Sequence, residues 1–400
     1  MMLHEPLHAD SHHASSTRRR EMAVLAAAAA SIVVLGAAAQ AQTTAPTARA
    51  TASDRAIQDF WTPKRLLDAK PFLPRPGAAH RVQPTAVTTE GDGEPILSAP
   101  GAAPTRGDDG SLARRLHPPV REAPAAATAP SSDVQPMLSS STGAHFTTTR
   151  VFPDAAVTTS PYRIVGKLFA YNPNTRLTLN CSAAVLRARL VVTAGHCIYH
   201  AGPSGDDSST NRYFYTNLNF VPSYNNGAAP LGSWTYSWGI VAGAWANGGG
   251  TVPNSQDVAI LEMNDKNGQK ISAYTGYFGY STGGLSPNHL TILGYPCNID
   301  SCSRMQSTGA GSYASGGNNT VIYGSAQGGG TSGGPWVQDF GVAGSGAPTG
   351  VGKNILRSVS SYGPSTSGPL YLGASILLSS GTGSFGAILQ TACAHKAGNC

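Results

Sequence analysis

Three short segments of the chain carry residues whose types are suited to nucleophilic catalysis. His196 lies near the end of the run VVTAGHC, residues 191–197; Asp257 opens the run DVAIL, residues 257–261; and Ser332 lies in the turn GTSGGP, residues 330–335. A serine hydroxyl is a weak nucleophile at neutral pH, so it needs a base, and a histidine oriented by a carboxylate can supply one. Each residue alone has a simpler explanation: a packed histidine, a strand cap or a flexible loop. Their occurrence in one chain predicts a joint site.

The segments around these residues are typical of short β-strands. Apolar runs rich in branched and aromatic residues alternate with Gly, Pro and Asn, which favour turns. Strands at this spacing predict a sandwich or a barrel. The predicted strands cover residues 182–186, 190–193, 213–221, 234–244, 258–263, 290–293, 320–324, 335–337, 355–360 and 373–377. We interpret Trp234, Trp238 and Trp245 as core packing rather than as a ligand platform.

The composition excludes several classes of protein. Only 12% of the 400 residues are charged, whereas the chain holds 47 glycines and 28 prolines. The formal net charge is +6, and residues 161–400 hold twelve basic and seven acidic residues without a dense Lys/Arg cluster. Nucleic-acid binding depends on neutralising phosphates, so we expect no nucleic-acid partner. Because glycine weakens helices, we expect a mainly β protein.

The N-terminal residues have the layout of a secretory signal peptide. Three arginines at residues 18–20 precede an apolar stretch that ends in the triplet Ala39-Gln40-Ala41. This layout predicts a signal peptide over residues 1–42, cleaved after Ala41. We therefore expect a secreted protein, extracellular or periplasmic, without stable membrane association. The alternative is an uncleaved anchor, for which the alanine-rich stretch is only weakly hydrophobic.

Residues 43–160 are rich in Ala, Pro, Thr and mixed charges, and they show no sustained period apart from a short helical pattern at residues 57–67. Such a composition buries too little apolar surface to offset the entropy lost on ordering the chain. We predict a largely disordered pro-segment or linker over residues 43–160 and a folded domain over residues 161–400.

All six cysteines lie in residues 161–400, and an even number in an exported protein suggests disulfides. Two pairs are so close in sequence that local bridges are expected, namely Cys297 with Cys302 and Cys393 with Cys400. This leaves Cys181 to bond Cys197, beside His196. A zinc site is the alternative, but no Cys-x-x-Cys or His-x-His pattern accompanies the cysteines, so we expect no metal.

The three segments, in this order, match the signature motifs of the chymotrypsin-like serine endopeptidases, and the chain resembles that family over residues 161–400. The resemblance implies an all-β fold of two six-stranded antiparallel barrels with the active site in the cleft between them. It implies that His196 is the general base, that Asp257 orients it, and that Ser332 attacks a peptide bond. The N–H groups of Gly330 and Ser332 would form the oxyanion hole. We expect a protein or peptide substrate, no cofactor and a monomer.

The chain departs from the digestive members of the family. Thr331 replaces the aspartate that pairs with a newly cut N-terminus in those enzymes. We therefore interpret residues 162–170 as the first barrel strand, as in the V8-like branch that includes the glutamyl endopeptidases. Cutting after Arg163 is the alternative. Ala326, six residues before Ser332, replaces the acidic residue that selects Lys or Arg.

The same resemblance predicts a neutral primary pocket. Glutamyl endopeptidases have a histidine at or just before the strand that pairs with substrate, and this chain has Ser360 and Ser361 there, which argues against glutamate specificity. The pocket residues would be Ala326, Gln327, Gly328, Gly329, Ser361, Tyr362 and Gly363. A non-catalytic binding protein on the same fold is the alternative function, and the sequence does not separate a general protease from one with a narrow target.

Overall fold

The computed structural model describes residues 45–77, 95–107, 110–120, 144–285, 289–342, 352–364 and 370–400. One compact unit extends from Gln42 to Cys400. The predicted signal peptide, residues 1–42, lies outside the described residues.

Strands account for most of the regular structure. The elements upstream of the predicted domain are β1 (Thr47–Arg49), α1 (Asp54–Phe60), α2 (Pro63–Leu67), β2 (Lys70–Pro71), β3 (Arg75–Pro76), β4 (Ser98–Ala99), β5 (Arg114–Arg115) and β6 (Phe146–Arg150). The elements that follow are β7 (Val165–Tyr171), β8 (Thr178–Val185), β9 (Leu190–Thr193), β10 (Tyr199–His200), β11 (Tyr213–Phe214), β12 (Thr216–Pro222), β13 (Ala228–Ala229), β14 (Trp234–Val241), α3 (Gly243–Asn247), β15 (Thr251–Val252) and β16 (Ala259–Met263). The last elements are α4 (Ile271–Thr275), β17 (Gly279–Ser281), β18 (His289–Gly294), β19 (Gln306–Gly317), β20 (Thr320–Gly324), β21 (Pro335–Gln338), β22 (Ile355–Tyr362), β23 (Tyr371–Ser375) and α5 (Phe385–His395).

Six antiparallel strands close the first barrel. Around the ring they follow the order β7, β8, β9, β16, β14 and β12, and β12 pairs again with β7. The chain reaches His196 three residues after β9, and Asp257 stands two residues before β16. Since β9 and β16 are neighbours in the ring, both residues come to the same end of this barrel.

The second barrel is also a closed ring of six antiparallel strands. Its order is β18, β19, β20, β23, β22 and β21, and β21 pairs again with β18. Ser332 precedes β21, and Ser361 lies at the end of β22. The two rings confirm the predicted fold of two six-stranded antiparallel barrels.

The predicted strands agree with barrel strands in place, but β19 was not predicted, because its sequence QSTGAGSYASGG is rich in Gly and Ser and has no apolar run. The strand predicted at 213–221 is divided into β11 and β12, and the other differences are at strand ends. The strand predicted at 162–170 begins at Val165, because Tyr162–Ile164 form a 3₁₀ turn. The strand predicted at 234–244 ends at Val241, where the chain turns into α3. The tryptophans Trp234, Trp238 and Trp245 are at most 4% exposed, which confirms their interpretation as core residues.

The described parts of residues 43–160 are folded onto the barrels, whereas the composition predicted a largely disordered stretch. Five of the short strands pair with barrel strands or with short strands in the loops between them. The pairs are β1 with β14, β2 with β8, β3 with β15, β5 with β13 and β6 with β19. β4 pairs with β17. Strands of this length cannot bury a face of their own, so their order depends on the barrels and leaves no period in the sequence.

The helical pattern predicted at residues 57–67 forms two helices instead of one. Thr62 caps the second helix by accepting a hydrogen bond from Arg65 N, and Pro63 occupies its first turn, where a missing N–H costs nothing. Trp61, between the helices, lies 5.4 Å from the ring of Phe169 on β7. This contact helps to explain why β7 is buried on both faces instead of alternating.

All three predicted disulfides are present, joining Cys181 to Cys197, Cys297 to Cys302 and Cys393 to Cys400. The first one ties β8 to the turn that carries His196. Within the described residues, no helix combines the length and the apolar character needed to cross a membrane.

Candidate active site

His196 lies in a 3₁₀ turn at the end of β9, and its side chain is fully buried. Its Nδ1 lies 2.7 Å from Oδ2 of Asp257, and its backbone N–H donates to Oδ1 of the same carboxylate at 2.9 Å. A carboxylate can only accept, so Nδ1 must carry the proton in the neutral imidazole. Nε2 is then the unprotonated nitrogen. It is buried and has no hydrogen-bond partner among the described residues.

Asp257 is fully buried as well and is held from three directions. Besides the two bonds from His196, its Oδ2 accepts a hydrogen bond from Ser361 Oγ at 2.6 Å. Its own backbone N–H donates to Ser375 Oγ at 3.0 Å. The second barrel therefore fixes an aspartate of the first. The role of Ser375 was not predicted, and nothing in its sequence context, YLGAS, marks it.

Ser332 lies in a turn whose glycines are required by close contacts. Gly330 has φ +100°, a left-handed value that favours glycine, and a Cβ there would lie 2.5 Å from Tyr295 O. A Cβ on Gly333 would lie 2.8 Å from Ala194 N, two residues before His196. The turn thus packs directly on the segment that carries the histidine. Ser332 itself is 8% exposed.

The backbone of this turn leaves two N–H groups without a backbone acceptor. Thr331 N donates to Gly328 O and Gly333 N donates to Ser360 O. The N–H groups of Gly330 and Ser332 donate no backbone hydrogen bond to any described residue. Two unpaired donors on alternate residues of a tight turn are suited to bind a developing negative charge.

The segment predicted to form one side of the primary pocket is fixed by an asparagine that was not predicted. Asn298 accepts from Gly328 N at 2.8 Å and donates to Ala326 O at 2.9 Å. It lies inside the loop closed by the Cys297–Cys302 bridge, which is the one sequence signal that could have drawn attention to it. The Gln327 side chain is buried and donates to Ile292 O and Thr308 Oγ1.

The other predicted side of the pocket is the end of β22. The Ser361 hydroxyl donates to Asp257 Oδ2, so its proton is not available to an acceptor on a substrate side chain. Tyr362 lies opposite Gly373 of β23, and its hydroxyl is 2.8 Å from Thr320 Oγ1. Burial raises the pKa of Tyr362, so the phenol stays neutral. Gly363 is exposed at the end of this strand. None of the seven predicted pocket residues ionises at neutral pH.

Two aromatic rings cover the imidazole of His196. Trp245 meets it edge-on at 5.8 Å, and its Nε1 donates to Tyr199 O. Phe72, from the upstream segment, stacks on it at 5.0 Å between ring centroids. The sequence did not predict a contact from Phe72, because residues 43–160 show no pattern that relates them to the site.

The chain is similar over part of its length to two curated bacterial proteins, while no protein-family model matches it. An "Extracellular metalloprotease" of Bacillus subtilis is 26% identical over 147 residues, which are 36% of this chain and 42% of the relative. A "Glutamyl endopeptidase" of Bacillus licheniformis is 28% identical over 132 residues, which are 32% of this chain and 37% of the relative. The chain thus spans about two fifths of the length of these relatives.

Solved structures of proteases also resemble the chain. The protease Anisep from Arthrobacter nicotinovorans is 27% identical with a TM-score of 0.44, and the match covers 55% of this chain and 92% of Anisep. A Glu endopeptidase in complex with MPD is 16% identical with a TM-score of 0.43, and the match covers 61% and 93%. The fold assignment itself rests on the strand pairings described above.

The word metalloprotease in the name of one relative raises the question of metal ligands. In the part of the chain that the structure describes, Cys181, His196 and Cys197 are the group of side chains close enough to share an ion. The two cysteines are bonded to each other, so neither can offer a thiolate. One imidazole remains, which does not make a zinc site. The two-barrel topology, the order of the motifs and the similarity to a glutamyl endopeptidase together show that the chain resembles the chymotrypsin-like serine endopeptidases of the V8-like branch.

Proposed function

We propose that the chain is a secreted serine endopeptidase that hydrolyses peptide bonds through His196, Asp257 and Ser332. The observation that carries this proposal is the pair of hydrogen bonds from His196 to Asp257, at 2.7 and 2.9 Å, in a fully buried setting. The pair leaves Nε2 as a base with no other partner among the described residues.

The chemistry follows from that proton arrangement. As Ser332 Oγ attacks the carbonyl carbon, its proton passes to Nε2 of His196, and the imidazolium is stabilised by the Asp257 carboxylate. The oxyanion accepts hydrogen bonds from the N–H groups of Gly330 and Ser332. Nε2–H then protonates the leaving amine, which gives an acyl-enzyme. A water molecule, deprotonated by the same nitrogen, hydrolyses the ester and releases Ser332.

A neutral primary pocket is supported by the side chains around it. Ala326 brings no charge to its base, and the polar end of Gln327 is already bonded to Ile292 O and Thr308 Oγ1. The Ser361 hydroxyl is bonded to Asp257, so it is not available for a substrate carboxylate. We therefore propose cleavage after small or apolar residues rather than after glutamate, lysine or arginine, with a protein or peptide as substrate.

Secretion is supported by three disulfides, which form in oxidising compartments, and by the extracellular relative. The signal peptide predicted at residues 1–42 and the removal of residues 43–160 as a pro-segment are part of the same proposal.

Reaction with a serine-directed fluorophosphonate tests this function. The full chain is expressed in a secreting host, and protein recovered from the medium is labelled and mapped by mass spectrometry. We expect the label on Ser332, none on a Ser332→Ala variant, and full labelling of Ser208→Ala, whose serine is exposed. Equal labelling of Ser332→Ala, or no labelling of the secreted protein after residues 43–160 have been removed, would favour the non-catalytic binding protein instead.

Cleavage of a peptide library by the same protein tests the pocket. We expect cleavage mainly after small or apolar residues. A dominant preference for Glu, or for Lys and Arg, would contradict the neutral pocket while leaving the catalytic assignment intact.

A further inference from the structure

We propose that residues Ala69–Leu73, upstream of the barrels, are a built-in inhibitor that occupies the active-site cleft and keeps the uncut chain latent. This inference rests on the proposed function, because it needs His196 and Ser332 to be the reacting groups. The occupant of the cleft is a named part of this chain, which includes β2 and the two residues after it.

Phe72 is the residue that meets the catalytic groups. Its ring stacks on the His196 imidazole with centroids 5.0 Å apart and an angle of 28° between the planes. On its other side it lies 5.7 Å from the ring of Tyr215. Phe72 is 2% exposed and His196 is fully buried. A substrate cannot approach the imidazole on the face that this ring covers.

The backbone of the segment is bound as an added strand. Lys70 and Pro71 pair in parallel with Leu179 and Asn180 of β8, and Phe72 N donates to Asn180 O at 3.3 Å. The Asn180 side chain donates in turn to Ala69 O at 2.6 Å. Strand addition of this kind is a common way for a protein to bind an extended peptide. Here it holds the peptide against the strand that carries Cys181, beside the histidine.

The segment also contacts the second barrel's side of the cleft. A Cβ on Gly329 would lie 3.1 Å from Pro71 Cβ and 3.1 Å from Leu73 Cδ2. The side chains of Pro71 and Leu73 therefore pack against the turn that leads to Ser332. The five residues therefore span the cleft from β8 to the predicted primary pocket.

The chain is anchored before the inhibitor segment. Trp61 lies between α1 and α2, is 7% exposed, and donates through Nε1 to Asn217 O at 2.6 Å. Ile57 and Leu66, one from each helix, have side chains that are at most 3% exposed. These contacts fix the point from which the chain enters the cleft.

The chain is anchored again after the segment. β3 pairs in parallel with β15, and Gly77 N donates to Val252 O at 2.6 Å. Prolines at positions 71, 74 and 76 fix φ along this part of the chain, which lowers the entropy lost when it binds. A segment held at both ends and stiffened between them has a high effective concentration at the cleft.

The test compares the labelling rate of uncut chains. Full-length protein and its Phe72→Ala variant are treated with a fluorophosphonate that carries a rhodamine tag, and fluorescence is followed only in the uncut band on a gel. We expect the uncut Phe72→Ala chain to label at least about tenfold faster, which corresponds to about 1.4 kcal/mol. The matched control is Leu67→Ala, on α2 of the same upstream stretch, whose side chain is 48% exposed and lies outside the cleft. Its labelling rate should equal that of the unmodified chain.

A second variant covers the case in which Phe72→Ala does not fold. Phe72→Leu keeps an apolar side chain but loses the ring that stacks on His196, and we expect its uncut band to label several-fold faster. Thermal unfolding of each uncut chain shows whether it is folded. Equal labelling of the unmodified chain and both Phe72 variants would overturn the inhibitor while leaving the endopeptidase in place. No labelling of any form, cut or uncut, would overturn the proposed function and the inhibitor with it.

Discussion

Replacing Asp257 by asparagine tests the proton arrangement on which the proposed mechanism depends. The two carboxylate oxygens have different partners: Oδ1 accepts from the His196 backbone N–H at 2.9 Å, and Oδ2 accepts from His196 Nδ1 and from Ser361 Oγ at 2.7 and 2.6 Å. An amide has one oxygen, so it cannot accept at both positions.

The backbone decides which way the amide turns. The His196 N–H is fixed as a donor, so the oxygen of the introduced amide must face it, and the NH₂ group must face Nδ1. Nδ1 then becomes an acceptor and the ring proton moves to Nε2. The Ser361 hydroxyl can rotate to accept from the same NH₂ group. The fold keeps its hydrogen bonds, but Nε2 can no longer take the proton of Ser332.

The expected loss is large because the wrong tautomer removes the base altogether. In catalytic triads of this kind the substitution lowers kcat about 10⁴-fold, which corresponds to about 5.4 kcal/mol of transition-state stabilisation. Thermal unfolding should change little by comparison.

The assay is kcat for hydrolysis of a chromogenic peptide chosen from the library products. The matched control is Asp265→Asn, which changes a carboxylate that is paired with Arg189 at 2.6 Å. Its kcat should equal that of the unmodified enzyme even if its stability falls. If Asp257→Asn keeps its kcat within about tenfold while remaining folded, Asp257 does not set the tautomer and the reasoning is refuted.

Three further predictions concern groups around the site. Ser361→Ala removes a buried hydrogen bond to the Asp257 carboxylate, worth about 1.5–3 kcal/mol, so kcat should fall while KM stays constant; a change in KM alone would assign Ser361 to substrate binding. Replacing both Cys181 and Cys197 by alanine should lower the free energy of unfolding by about 2–5 kcal/mol in urea titrations, and an unchanged midpoint would count against a stabilising bridge. Burial lowers the pKa of Lys167 from 10.5 to about 7, so the unfolded chain binds more protons between these values and the free energy of unfolding should rise with pH there. Lys167→Met should reduce that slope in urea titrations at pH 7, 8 and 9, and equal slopes would contradict the assignment.

Several features could be predicted from the sequence because they depend on neighbours along the chain. Most strand positions follow from apolar runs between Gly, Pro and Asn, whereas the Gly- and Ser-rich β19 has no such run and was missed. The close spacing of Cys297 with Cys302 and of Cys393 with Cys400 made local bridges the natural pairing. The order of the three motifs carried the resemblance to a family, and the two closed rings of strands confirm the fold which that resemblance implied.

The features that were missed depend on contacts between distant parts of the chain. Ser361 and Asp257 are 104 residues apart, and Asn298 and Gly328 are 30 apart, so no local pattern relates them. Gln327 was expected to line a pocket, but its side chain donates hydrogen bonds to Ile292 O and Thr308 Oγ1 inside the barrel. Side-chain direction in an irregular turn depends on which buried acceptors lie nearby.

The sequence by itself determined the residue types at the site, most of the strand positions and the pairing of the cysteines, because local spacing encodes these properties. Only the tertiary structure decided where the upstream stretch lies. A chain rich in Ala and Pro cannot form a core alone, yet the barrel strands β14, β8 and β19 offer it backbone groups with which to pair. Its Phe72 consequently stacks on the imidazole of His196. The two residues are more than a hundred positions apart in the sequence, so no local period could have indicated this contact.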